Sequence, residues 1–227
     1  MHSFHLVTLP PVRTARVLGR GLGAVDGLRH AEPMATMRLG APVVSPERMQ
    51  LRRLAMFCAW ESEDALEAFL AGNPLGPAVS DGWHVRLRFL RRWGHVEELG
   101  DLPEVAERSR PAEPVVAFTL ARMRLTRVPR FVRWGRPVER QVRDHPASPF
   151  ATAAMRPPHT VATFSTWRSA REMTAMVAGR DVGAQAERHR AAMLERERRD
   201  FHHAFTTLRF RPLSEHGTWD GRSTLLR

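Results

Sequence analysis

Apolar residues along this chain recur either at every second position, as in a strand, or at intervals of three and four, as in a helix. Strand-like and helix-like segments follow one another in the same order in the two halves of the chain. Apolar and arginine residues alternate over residues 85–89, a period of two that predicts a strand with one buried face. Between Val12 and Val25 apolar residues recur at intervals of three and four, which predicts an amphipathic helix. Short apolar runs at 6–9 and 115–120 predict the first strand of each half, and 51–60 and 160–167 predict the second.

Two segments repeat one pattern: AMFCAWESEDALEAFL at 55–70 and ATFSTWRSAREMTAMV at 162–177. In each, a Trp lies three residues after a Phe, and a Ser follows the Trp by two. The serines, Ser62 and Ser169, precede helical patterns and are predicted to be N-caps, with Glu172 completing a capping box behind Ser169. The second copy carries extra length around 178–190. Duplication of a whole folding unit explains this agreement.

The repeats define the predicted organisation. The first covers 1–98, a polar linker with three prolines covers 99–114, and the second covers 115–227. Each is predicted as strand, helix, strand, helix and strand, with a His-, Pro- and Gly-containing loop before the second strand, an order typical of a ferredoxin-like α+β unit. Two such sheets bury their apolar faces against each other as a sandwich or barrel with helices outside, an internal pseudo-dimer. A ligand-binding cavity is expected between them.

Composition narrows the class of protein. The formal net charge is +11 and all 35 basic residues are Arg. They are spread along the chain and form no recognisable nucleic-acid-binding motif, so we expect no nucleic-acid partner. No apolar run has the length of a membrane span and the N-terminus lacks a signal-peptide core, so we expect a cytoplasmic protein. Cys58 is the single cysteine and lies in an apolar run, which favours a buried, unreactive thiol.

Histidines are the strongest candidates for chemistry. His189 lies in a strongly helix-forming stretch, AQAERHRAAMLERERRD, and His202 and His203 follow at its end. A single helical His can be the axial ligand of a haem iron, which needs one protein nitrogen. The alternative for His189 is a surface histidine among Arg and Glu. For His202 and His203 a helix-cap role competes with ligation.

The second half resembles the C-terminal part of spheroidene monooxygenase. The resemblance is carried by LTRVPRFVRW, TVATFSTWRS, AERHRAAM and FHHAFTTLRFRPLSEHGTWDGR. It implies a fold related to the dimeric α/β barrels, haem b as cofactor, and an oxygenase that introduces a keto group into a carotenoid. His189 matches the helix histidine of that family and becomes the first candidate for iron and haem ligation. His202 and His203 lie where the family pattern is acidic.

One departure concerns the substrate. Where the family has a glycine-rich GTGxGF-like loop before the second strand, this chain has MRLGAPVVSPE. The difference falls on the expected cavity wall, so a smaller or more polar secondary metabolite is as consistent with the sequence as a carotenoid.

The resulting hypothesis is a haem-dependent, monooxygenase-like enzyme that takes a small-molecule substrate and an electron donor, as a monomer or homodimer. One alternative keeps the fold without haem, as a cofactor-independent α/β-barrel monooxygenase or a cyclase of a biosynthetic pathway. The other is a non-catalytic protein that binds haem or an apolar small molecule.

Overall fold

The computed structural model describes residues 1–41, 45, 48, 50–180, 188–221 and 223. Both halves have the order strand, helix, two strands, two helices and a last strand. The first contains β1 (His2–Thr8), α1 (Pro11–Arg20), β2 (Leu28–Met37), β3 (Gln50–Trp60), α2 (Glu63–Gly72), α3 (Gly76–Ser80) and β4 (Trp83–His95). The second contains β5 (Val115–Met123), α4 (Val128–Arg143), β6 (Phe150–Arg156), β7 (Thr160–Trp167), α5 (Ala170–Val177), α6 (Arg188–Arg198) and β8 (His202–His216). Short 3₁₀ turns lie at Glu97–Leu99 and Leu125–Arg127.

The strands of both repeats join into one closed antiparallel barrel in the order β1-β3-β2-β6-β7-β5-β8-β4. Each repeat contributes four neighbouring strands, and the repeats meet at two seams, β2 with β6 and β4 with β8. In this closed order each described strand has a partner on both sides over at least part of its length. The predicted fold class, two tandem ferredoxin-like repeats forming an internal pseudo-dimeric α/β barrel, is confirmed.

The loop predicted before the second strand of each repeat is wrong, because strands β2 and β6 lie there. Pro33 and the charged Glu32 obscured the strand pattern of β2. Proline is tolerated at this point because β2 pairs with β6 only over Ala35–Met37, so Pro33 has a strand neighbour on the β3 side alone.

The barrel interior is filled by aromatic side chains from both repeats. Phe4 stacks on Phe164 with ring centroids 4.0 Å apart, and Phe57 stacks on Phe118 at 4.2 Å. Trp83 and Phe210 complete the same fully buried cluster. Such stacked pairs contribute dispersion and quadrupole energy beyond simple burial. The cavity expected between the sheets is therefore occupied, over the described residues, by the protein's own rings.

A second apolar layer separates the barrel from its helices. In the first repeat Met56, Cys58 and Trp60 face outward and pack against Leu66 and Phe69 of α2. The Cys58 thiol is fully buried and burial raises its pKa, as expected for an unreactive cysteine. None of the helices in the described part of the chain is both long and apolar enough to cross a bilayer.

The two predicted helix caps are confirmed. Ser62 Oγ accepts a hydrogen bond from the Ala65 amide at 3.1 Å at the start of α2. Ser169 Oγ accepts one from the Glu172 amide at 3.2 Å at the start of α5, and its hydroxyl donates to the Glu172 carboxylate at 2.6 Å. The repeated Trp-x-Ser pattern thus marks the same strand-to-helix junction in both repeats.

The start of the predicted linker packs onto the barrel. Leu99 and Leu102 contact the interior apolar cluster, and Val105 forms a bridge with Arg91 of β4. Trp219, in the closing GTWDG segment, packs against the same cluster. Of the extra length predicted at 178–190, residues 181–187 lie outside the described residues, as do residues 42–44, 46 and 47 of the MRLGAPVVSPE departure.

Candidate functional site

His189 lies in the first turn of α6, on the outer face of the second repeat, and is half-buried. Its backbone amide donates to Gln141 Oε1 of α4 at 3.2 Å, and its ring Nδ1 is 3.1 Å from the carbonyl oxygen of Val177 in α5. Because a carbonyl can only accept, Nδ1 carries the proton and the lone pair is on Nε2. Burial lowers the pKa of His189, which favours this neutral form.

His202, the first residue of β8, is 4% exposed. Its Nδ1 lies 3.0 Å from Asp200 Oδ1, and its Nε2 is buried with no hydrogen-bond partner among the described residues. Phe131 and Phe205 surround the ring, with centroids at 5.9 and 5.0 Å. Burial lowers the pKa of His202 although Asp200 opposes the shift, so a neutral imidazole presents an unpaired Nε2 lone pair.

His203 is exposed and alternates with His202 along β8, so the two rings point to opposite sides of the strand. The three predicted ligands do not converge on one point. No group of three or more His, Cys, Asp or Glu in the described part of the chain has the geometry of a metal site.

A cleft of about 400 Å³ opens between α4 and α6, lined by Arg130, Arg133, Trp134 and Glu195 together with Pro129. Arg130 forms an ion pair with Glu195 across it. Phe131 of the same helix contacts His202, and Trp134 belongs to the apolar cluster beneath α4. The outer side of the second repeat thus combines a buried imidazole, an aromatic surround and nearby guanidinium groups.

A second polar cluster, inside the barrel, was not predicted. Glu32 of β2 is fully buried and accepts hydrogen bonds from Arg122 Nη2 of β5 at 2.7 Å and from Arg156 of β6, with His30 Nε2 at 3.5 Å. Burial alone raises the pKa of Glu32, but the bonds from His30 and Arg122 outweigh it and lower that pKa. Glu32 lies in the stretch interpreted as a loop, so only the strand register could have revealed the cluster.

A row of histidines crosses β1, β4 and β8 on the outer face of the barrel. His5 pairs with His84, and His84 with His216, at ring-centroid distances of 5.2 and 4.6 Å. His5 and His84 are buried, and neither nitrogen of His84 has a described hydrogen-bond partner. The sequence does not show that these three histidines are neighbours, because only the pairing register of the three strands brings them together.

Comparison with known proteins identifies the fold but no family. No protein-family profile and no curated protein matches the chain. An aldoxime dehydratase solved in complex with butyraldoxime superposes with a TM-score of 0.56 at 8% identity, covering 94% of this chain and 79% of the other. Another aldoxime dehydratase structure gives 0.50 at 8% identity, covering 93% and 80%.

A putative monooxygenase from Fusobacterium nucleatum covers 96% of this chain and 94% of its own, with a TM-score of 0.43 at 6% identity. At such identities the likeness concerns the path of the backbone, and function has to be argued from the residues themselves. The closed barrel and its superposition on the two aldoxime dehydratases show the fold of the ferredoxin-like α/β-barrel proteins, with both halves of the barrel in one polypeptide.

Proposed function

We propose that this protein is a haem-dependent oxidoreductase of the monooxygenase-like class, with the haem on the outer face of the second repeat. The proposal rests on His202, whose Nε2 is buried and unpaired while its Nδ1 is held by the Asp200 carboxylate. An unpaired buried nitrogen costs free energy unless something binds it. A second hydrogen bond that fixes the ring and its tautomer is usual for histidines that ligate metals.

The surroundings of His202 suit a large, flat, apolar group with carboxylate substituents. Phe131, Phe201 and Phe205 provide aromatic contacts. Arg133 lines the adjacent cleft and can bind a carboxylate bidentately, as a haem propionate requires, whereas Arg130 already pairs with Glu195. When bound, haem supplies the redox and oxygen chemistry, and the protein contributes binding, orientation and exclusion of water.

His189 is the alternative ligand, and the resemblance to spheroidene monooxygenase supports it. Its Nδ1 donates to the Val177 carbonyl, which leaves Nε2 able to bind a metal. His202 is preferred because its free nitrogen is buried, whereas His189 is half-buried. His203 is exposed and is the weakest of the three.

The substrate in this proposal is an apolar small molecule or secondary metabolite. Because aromatic rings fill the barrel interior, we place it on the outer face of the second repeat, beside the haem, rather than between the sheets. A carotenoid, which the resemblance to spheroidene monooxygenase implies, remains one member of this class. An electron donor is the expected protein or small-molecule partner.

Titration of the purified full-length chain with haemin tests the proposal. We expect a Soret band that saturates at one haemin per chain in the parent. His202→Ala should abolish or strongly shift the band, because the iron loses its protein nitrogen. His203→Ala is the matched control, since it removes the adjacent exposed histidine, and should bind haemin as the parent does.

The other outcomes are distinct. Loss of the band in His189→Ala with its retention in His202→Ala would assign the iron to His189 and overturn the choice made above. A parent that takes up no haemin would refute the haem proposal and favour the cofactor-independent alternative. Haem binding without substrate-, peroxide- or oxygen-dependent turnover would favour a binding protein.

A further inference from the structure

Two arginines face each other across the β4–β8 seam, on the outer face of the barrel. Arg91 and Arg209 are direct cross-strand partners. Their guanidinium carbons lie 4.0 and 5.0 Å from the centroid of Trp93, which is 40% exposed. Like charges directly opposite each other destabilise a sheet. Arg209 is seven residues from His202 along β8, about 23 Å at the rise of a strand, so this pair is separate from the proposed haem site.

Neither arginine pairs with a carboxylate among the described residues. The Nε atoms of both are buried without a hydrogen-bond partner there. Arg211, the next residue of β8 on the same face, contacts Glu107 at 2.6 Å and Glu113 at 3.1 Å and so occupies the nearby carboxylates. Burial, with a contribution from Arg91, lowers the pKa of Arg209 to about 10, which leaves it charged at neutral pH.

A cleft of about 530 Å³ opens beside Arg209, between α5 and the linker. Its lining includes Arg171, Arg180 and Arg209 together with Ser109 and Thr174. The Arg209 Nη2 is 3.4 Å from Thr174 Oγ1. Among the described residues, those that line this cleft thus contribute positive charge and hydroxyl groups, and none of them carries a carboxylate.

We propose that this cleft binds the phosphate group of a small-molecule anion. The lining arginines provide forked donors and the Ser109 hydroxyl adds a single one, whereas the Thr174 hydroxyl donates to the Ala170 carbonyl at 2.7 Å. Guanidinium groups pair well with both carboxylate and phosphate, but phosphate has more acceptor oxygens and can engage several guanidinium and hydroxyl groups together. A bound anion would also offset the repulsion between Arg91 and Arg209.

The test is a titration of the full chain with inorganic pyrophosphate at constant ionic strength, followed by tryptophan fluorescence. Trp93 lies against the two arginines and should report binding, so Trp93→Phe should remove most of the signal. Arg209→Gln should weaken binding at least tenfold. Arg16→Gln, which removes the same charge from an exposed position of α1, is the matched control and should bind as the parent does.

Thermal unfolding separates lost binding from lost folding. Without anion, Arg209→Gln should melt at or above the temperature of the parent, because the substitution removes the repulsion from Arg91. Pyrophosphate should raise the melting temperature of the parent and of Arg16→Gln but not that of Arg209→Gln. Equal weakening by both substitutions would show only diffuse attraction to a basic chain and overturn the proposal. Tighter binding of malonate than of pyrophosphate would overturn the assignment to phosphate.

Discussion

Glu32→Gln is expected to lower the free energy of unfolding by about 3–5 kcal/mol, because breaking a buried ion pair leaves uncompensated charge. Glu32 is fully buried, and Arg122 is 7% exposed. The substitution keeps the shape of the side chain but removes the charge that holds Arg122 and Arg156. Urea unfolding at pH 7.5, followed by circular dichroism, measures the difference.

Two variants control this prediction. Glu98 also contacts Arg122, at 3.1 Å, but its side chain is 51% exposed, so Glu98→Gln should cost less than about 1 kcal/mol. The double variant Glu32→Met with Arg122→Met should recover much of the loss, since it removes both buried charges. A cost below about 1 kcal/mol for Glu32→Gln would show that the cluster does not contribute as proposed.

The position of this cluster explains why it matters to the fold. Glu32 belongs to the first repeat, whereas Arg122 and Arg156 belong to the second. The β2–β6 seam between the repeats pairs only over Ala35–Met37. Charge pairing across the barrel therefore supplements a short ladder of backbone hydrogen bonds.

Acidification is expected to destabilise the protein between pH 6.5 and 5. Burial lowers the pKa of His2 to about 3 and that of His84 to about 4, with nearby cations adding to both shifts. The folded state therefore leaves these rings neutral while the unfolded chain binds protons as pH falls through about 6.5. Stability is fully present above that pH and is lost below it. At pH 5 we expect each group to cost about 1–2 kcal/mol.

Urea unfolding as a function of pH measures this loss. His84→Phe preserves a ring between His5 and His216 but cannot bind a proton, so the variant should lose less stability than the parent between pH 7.5 and 5. Arg16→Gln changes surface charge without removing a histidine and should keep the dependence of the parent. If His84→Phe follows the same pH curve as the parent, proton uptake by His84 does not contribute.

Local sequence patterns were sufficient to predict much of the architecture. The duplicated Phe-x-x-Trp-x-Ser pattern located the ends of β3 and β7 and the caps at Ser62 and Ser169, because strand alternation and helix capping depend on neighbours within a few residues. The apolar run around Cys58 likewise predicted its burial. Where polar residues and proline broke the alternation, in β2, the same reasoning predicted a loop.

The candidate site was less accessible to sequence reasoning. The sequence identified His189, His202 and His203 as the histidines to consider, but it did not distinguish them. His202 is covered by Phe131 of α4, more than fifty positions away in sequence, and Arg196 of α6 lies over the neighbouring ring of Phe205. The preference for His202 follows from that packing alone.

By itself, the sequence of this protein determined a duplicated α+β unit, its junctions and its caps, since each depends on short-range periodicity. Only the tertiary structure decided that the barrel closes, that phenylalanines fill it, and that Glu32 meets two arginines of the other repeat. It also decided that Arg91 lies opposite Arg209. The physical reason is that strand pairing and register arise from contacts between distant segments, and a one-residue change of register would turn every side chain to the other face.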